Sequence, residues 1–277
     1  MKMLFVICAL IISSASFASG KGTKNLFPTS INTDFKAGED SLCFSNHDFY
    51  RYTLGHPLLM LLGKVADSEG ACQGMVGVAA AVKMKVVFRP DHKKMSLKKV
   101  KKQIQRAVRL HQNNCSGKVY IDGHENLNQL CGSSEGILKQ RSLLYNLSLA
   151  RKEILKYSYT FFFDGPLSTP EKSSAHILKH LKSMYADLKL GRYPLMLVRK
   201  HVTLVTGFDV VRYPSGNVKQ VTLKHYDPNV IMSSERDFRS RSYRFSEDGS
   251  KIEGTLIWNI TPRPLTRLYC NFIHNDL

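Results

Sequence analysis

The chain changes character at Gly191, and that change restricts its architecture more than any other feature. Before Gly191, apolar residues recur at helical spacing. Leu97, Val100, Ile104, Val108 and Leu110 follow Ser96, a residue suited to N-capping. Leu143, Leu144, Leu147, Ala150, Ile154 and Leu155 share one side of a helix predicted over Ile137–Tyr157. Ser168-Thr169-Pro170-Glu171 opens another, with Pro170 at the first helical position and Gly191 as its stop. Leu58–Leu62 predicts one more. After Gly191 the runs are short and β-patterned: Tyr193–Arg199, His201–Val211, Val218–Tyr226, Ser242–Phe245, Lys251–Trp258 and Leu265–Phe272. Pro214-Ser215-Gly216-Asn217 marks a hairpin turn between the second and third. Helices first and antiparallel strands later predict an α+β plan, with a helix-rich lobe over 43–191 and an antiparallel sheet lobe over 192–277.

The N-terminal residues predict export. Lys2 precedes an apolar run from Leu4 to Ile12, and Ser16 and Ala18 supply the small residues of a cleavage site. Residues 1–18 therefore read as a signal peptide, too short to span a bilayer, and the expected location is periplasmic or secreted. Residues 19–42, rich in Gly, Ser, Thr and Lys, read as an extended N-terminal arm. No later segment is apolar enough to cross a membrane. The formal charge of +18 favours anionic partners, such as an anionic surface or envelope polymer met through a basic face. The run from Lys93 to Lys102 supplies that face, although such runs are usually solvated helix surface. No aromatic RNA-binding motif or zinc finger sharpens this into a nucleic-acid reading.

Cysteine arithmetic separates one thiol from the rest. The chain has 6 cysteines, of which Cys8 lies in the leader. Cys43, Cys72, Cys115, Cys131 and Cys270 remain, so an odd one is left free in an oxidising compartment. Cys115 and Cys131 have loop-like surroundings, which favours the pairing Cys115–Cys131 with Cys43–Cys270 among three possible ones. Cys72 differs. The polar turn Ser68-Glu69-Gly70 precedes it and a small apolar run follows, which sets it at the N-terminus of a buried helix. Unpaired N–H groups and the helix dipole there favour a thiolate, the nucleophilic form. Packing is the competing account, because free cysteine is often simply buried.

Two further groups come together through the predicted hairpin. Pairing built outward from a Ser215-Gly216 loop sets His201 opposite Val230, close to Asp227-Pro228-Asn229. A three- or five-residue loop, or one bulge, turns Asp227 and Asn229 to the His201 face. Either side chain could hold the imidazole by its second nitrogen. His225 shares the Asp227 face and is a weaker candidate for a supporting role. His176 and His180 are four apart on a helix but lack the Glu and third ligand of a zinc motif, so no metal is assigned.

Gly70-Ala71-Cys72-Gln73-Gly74-Met75 at a helix start, His201 opening His-Val-Thr-Leu-Val-Thr-Gly-Phe-Asp, and Tyr226-Asp227-Pro228-Asn229 resemble papain-like cysteine peptidases. The bacterial branches with Cys, His, Asp order are the nearest pattern. The resemblance covers about residues 60–230, and the gap of roughly 130 residues from Cys to His fits it. It implies a two-lobe papain-like fold, helical around the Cys and antiparallel around the His, and a cofactor-free thiol hydrolase acting on a peptide or protein substrate. Cys72 would be the nucleophile, His201 the base and acid, and Asp227 the orienter, with Asn229 as alternative. One departure stands out: the family's oxyanion-hole Gln would fall near Ala66. The backbone N–H of Cys72 can donate, while Ser68, Asn46 and Gln73 are candidates for a second donor. The alternative reading is a weak or inactive relative that serves as a basic binding protein for envelope polymers or a host partner.

Overall fold

The computed structural model describes residues 23–48, 72–142, 144–145, 170–198 and 201–262. The signal peptide, the helix read at Leu58–Leu62, the end of the helix predicted to Tyr157 and the strand at Leu265–Phe272 lie outside these residues. Helix and antiparallel sheet combine in an α+β architecture. Helix α1 (Cys72–Lys85) is small-residue and apolar, and every residue from Gly74 to Val82 is buried. Gly77 is required on it, because a Cβ there would overlap the Tyr145 ring. Helix α2 (Leu97–Gln112) lies against α1 and is amphipathic: Val100, Ile104, Ala107, Val108 and Leu110 face inward and lysines face out. Ser96 caps it as predicted, its hydroxyl accepting from Lys99 N–H.

The segment between Cys115 and Cys131 is more ordered than its polar composition suggests. Strand β3 (Val119–Asp122) pairs in parallel with β2 (Val86–Arg89), and helix α3 runs over 127–142. Cys131 is therefore a helical residue, not a loop residue. Its partner is Cys43, with Cα atoms 5.7 Å apart. This overturns the expected Cys115–Cys131 and Cys43–Cys270 pairs. The start of α3 is already tied to the N-terminal segment, where Asn128 N–H donates to Glu39 O at 3.0 Å, so Cys131 turns toward Cys43. Cys115 also forms a disulfide, to a partner outside the described residues. Cys72 is the free cysteine among the described residues, and it is buried.

The sheet runs β8-β7-β6-β5-β4-β9, from β4 (Leu195–Val198), β5 (His201–Arg212), β6 (Val218–Tyr226), β7 (Arg239–Phe245), β8 (Ile252–Glu253) and β9 (Trp258–Asn259). The short strand β1 (Ile31–Asn32) pairs with the far half of β5. Helix α4 (Pro170–Lys189) covers one face of the sheet through Ile177, Leu181, Met184 and Leu188, against Met196, Val205, Phe208 and Leu223. On the other face, Leu195, Val202, Leu204 and Tyr226 join the core built on α1 and α2. Both faces are thus covered at β5, which is why it reads as a continuous apolar run, buried from Val202 to Phe208. Phe27 and Phe35 of the N-terminal segment sit in these two cores, so this segment packs along the sheet.

His176 and His180 hold the end of the sheet. His176 Nε2 donates to Ile257 O at 2.9 Å, and His180 Nδ1 accepts from Asn259 N–H at 3.0 Å. Among the described residues no cluster of three metal-ligating side chains occurs. No helix among them is long and apolar enough to cross a membrane.

Candidate active site

The β5–β6 hairpin sets the site through its register. Tyr213 N–H donates to Asn217 O at 2.8 Å, closing a three-residue loop, Pro214-Ser215-Gly216. Gly216 has φ +85°, the left-handed conformation such a loop needs at that position. A register shift follows between Val211 and Arg212, and a second at Thr206, between Val205 and Gly207. One extra residue on each strand makes the two shifts cancel. Past Thr206, Val205 pairs with His225 and Leu204 with Tyr226. Continued to the strand end, that register sets His201 opposite Asn229 rather than Val230.

The side chains follow from this. His201 Nε2 lies 2.8 Å from Asp227 Oδ1 and donates to it. Asp227 Oδ1 also accepts Asn229 N–H at 2.9 Å. The Asn229 side-chain amide is 3.5 Å from the same His201 nitrogen, a marginal contact beside the carboxylate. The turn is anchored from outside, where Asn46 N–H donates to Pro228 O at 2.9 Å. Cys72, at the start of α1, lies near enough to the imidazole to raise its basicity. With Nε2 given to Asp227, Nδ1 is the ring nitrogen left for sulfur. Cys72 is 5% exposed, held on a helix that cannot rotate without unpacking its buried faces.

Electrostatics distinguishes His201 from its neighbour. Burial disfavours the His201 imidazolium, but hydrogen bonds and negative charge from Asp227 and Cys72 outweigh it and push the pKa up to about 9. For Asp227, burial acts against the carboxylate, yet the His201 and Asn229 hydrogen bonds hold it below the usual range. His225, on β6, is pushed down to about 4, first by burial, with Arg241, His201 and Arg239 adding to it against the charge of Asp227. It stays a neutral imidazole.

A cleft of about 680 Å³ opens beside His201, lined by Asn46, His47, Thr203, His225, Asp227 and Arg241 among others. Cys72 is not among its lining residues; the imidazole, hydrogen-bonded to Asp227 and near Cys72, stands between thiol and cleft. Of the predicted second oxyanion donors, Asn46 is at the cleft wall, Gln73 is half-buried in the first turn of α1, and Ser68 lies outside the described residues. Thr203 and Arg241 carried no signal in the sequence: Thr203 is one residue of an apolar strand, and the strand of Arg241 was expected to begin only at Ser242. Family models, curated proteins and solved structures were compared with the chain, and none matches.

Proposed function

We propose that the protein is an exported thiol hydrolase of the papain-like kind, cutting a peptide or amide bond through an acyl-enzyme on Cys72. The observation that carries this reading is the convergence of Cys72, His201 and Asp227, with His201 hydrogen-bonded to Asp227 and its basicity raised by both neighbours, from α1, β5 and the end of β6. His201 takes the thiol proton, the sulfur attacks the scissile carbonyl carbon, and the tetrahedral oxyanion is met by the Cys72 N–H at the unpaired end of α1. The imidazolium then gives its proton to the leaving amine. Water, deprotonated by His201, attacks the thioester carbonyl and releases the acid and the Cys72 sulfur. Asp227 holds the ring with Nε2–H turned away from sulfur and stabilises the imidazolium without being protonated. The Cys43–Cys131 disulfide suits an oxidising compartment, and export through residues 1–18 supplies one.

The test is a peptidyl electrophile of the acyloxymethyl ketone type, followed by mapping of the modified residue. Stoichiometric labelling at Cys72, abolished in His201→Ala, is the expected result. Absence of labelling in the folded, reduced-thiol protein overturns the reading.

A further inference from the structure

Three buried polar atoms of the cleft have no hydrogen-bond partner: Thr203 Oγ1, His225 Nδ1 and Arg241 Nε. Thr203 and His225 are 2% and 5% exposed. Protein interiors satisfy nearly all such groups, because an orphan costs its full desolvation. Three orphans in one cleft are therefore a collective feature, and they sit on three neighbouring strands, β5, β6 and β7, on one face of the sheet.

Their chemistry is alike. A guanidinium only donates, a hydroxyl can donate, and a neutral imidazole carries one N–H. Arg241 spends one donor, Nη1 to Thr255 Oγ1 at 3.2 Å, and has no carboxylate partner among the described residues. The surroundings favour an anion: Arg241, Arg239 and the His201 imidazolium act on His225 against the single charge of Asp227. Asp227 Oδ1 is already taken by His201 and Asn229 N–H. What the three donors lack is an acceptor with negative charge and two oxygens, the shape an arginine fork matches.

We infer that this cleft is a carboxylate subsite, in which Arg241 holds the anion with the Thr203 hydroxyl and the His225 N–H, so that the substrate cut at Cys72 carries an acidic side chain or a free C-terminal carboxylate close to the scissile bond. The statement about the cut bond rests on the thiol-hydrolase reading; carboxylate binding does not. The three atoms are shielded in the free protein, and entry requires the half-buried Arg241 side chain to swing, a rotamer change that commonly accompanies binding.

The experiment uses Cys72→Ala protein, which binds without turnover, and calorimetric titration. The probes are N-acetylated tetrapeptide amides of Ala with Glu or Gln at each position in turn, the Gln peptides made again with a free C-terminal carboxylate in place of the amide, and sodium acetate alone. One acidic series is expected to bind at least about tenfold tighter than the neutral amides, the scale of a charge-assisted hydrogen bond. Preference for Glu assigns the subsite to a side chain, and preference for the free terminus assigns it to an α-carboxylate. Arg241→Gln removes the preference and leaves neutral peptides within about twofold. Thr203→Val removes an orphaned hydroxyl, so it raises the melting temperature while weakening the acidic probes, a pairing that a purely structural threonine would not give. Equal binding of acidic and neutral peptides, or a preference that survives Arg241→Gln, overturns the inference, and acetate binding as tightly as the acidic peptides overturns its substrate clause. An intact preference in a protein whose Cys72 takes no electrophile leaves the subsite standing and removes the hydrolase reading.

Discussion

His201 and His225 line one cleft, on adjacent strands of one sheet, yet their basicities are driven in opposite directions. His201 is pushed up to about 9 and His225 down to about 4. Burial works against the charge in both. The difference lies in partners: His201 has a carboxylate on one nitrogen and Cys72 nearby, while Nδ1 of His225 has none and arginines stand nearby. Exposure alone would not have ranked them. What raises the basicity of one imidazole and not the other is the end of a hairpin that delivers Asp227, and the start of a helix that delivers Cys72.

The sharpest way to break this contrast is to remove its charged member. Cys72→Ala and His201→Ala should each lower turnover by about 10⁴-fold or more while the fold persists, as measured by steady-state hydrolysis and circular dichroism. His201→Ala should also slow iodoacetamide alkylation of Cys72 near neutral pH, since the imidazolium is gone. Unchanged alkylation across the pH range would show that the pair does not form.

A smaller change keeps the ring and removes the charge beside it. Asp227→Asn should lower the rate by roughly 10²–10⁴-fold and move the alkaline limb of the pH–rate curve below 9, because the imidazolium loses its main partner. Asn229→Ala should cost less than about tenfold, its amide contact being marginal. The reverse order of these two would make the amide the third member.

The weakest effect is on stability, and the two histidines predict opposite slopes. The His201 pKa is raised on folding, so its contribution is fully present below about pH 6.5 and is lost as pH rises through about 9. The His225 pKa is depressed, so the folded state binds fewer protons and stability falls as pH drops from about 6.5 through 4. His225→Leu should therefore flatten the acid side of a stability–pH curve from denaturant melts, by an amount on the order of a few kcal/mol. His111, also buried and pushed down to about 4, continues to supply the remaining slope.

Much of this was legible in the residues. The Ser96 cap, the Pro170 start, the stop at Gly191 and the Val218–Tyr226 strand follow from local chemistry and appear where expected. Cys72 at a helix start and the approach of Asp227 to His201 followed from turn signals and hairpin parity. The parity left Asp227 and Asn229 equal, because loop length and bulges set which face a residue takes and neither has a strong sequence signature. The disulfide pairing departs from the sequence expectation for a related reason. Leu130-Cys131-Gly132-Ser133 looks like a loop, yet Gly132 and Gly136 sit in open space on α3, where glycine lowers helix propensity without forbidding the helix. The cleft floor of Thr203 and Arg241 is a product of three strands lying side by side, and no linear spacing announces it.

The paired register shifts in the hairpin mean that the meeting of His201 and Asp227 is specified by counting as well as by identity. Deleting Lys219 or Thr206, or shortening the Pro214-Ser215-Gly216 loop by one, leaves Cys72, His201 and Asp227 unchanged, yet it slides one strand a full step past the other. A sheet strand has only two faces, so one step carries Asp227 from the imidazole to the opposite side. Two such length changes of opposite sense would restore it. Evolution of this hairpin is thus expected to accept substitutions at the exposed positions of its outer half, while insertions and deletions survive there only in compensating pairs.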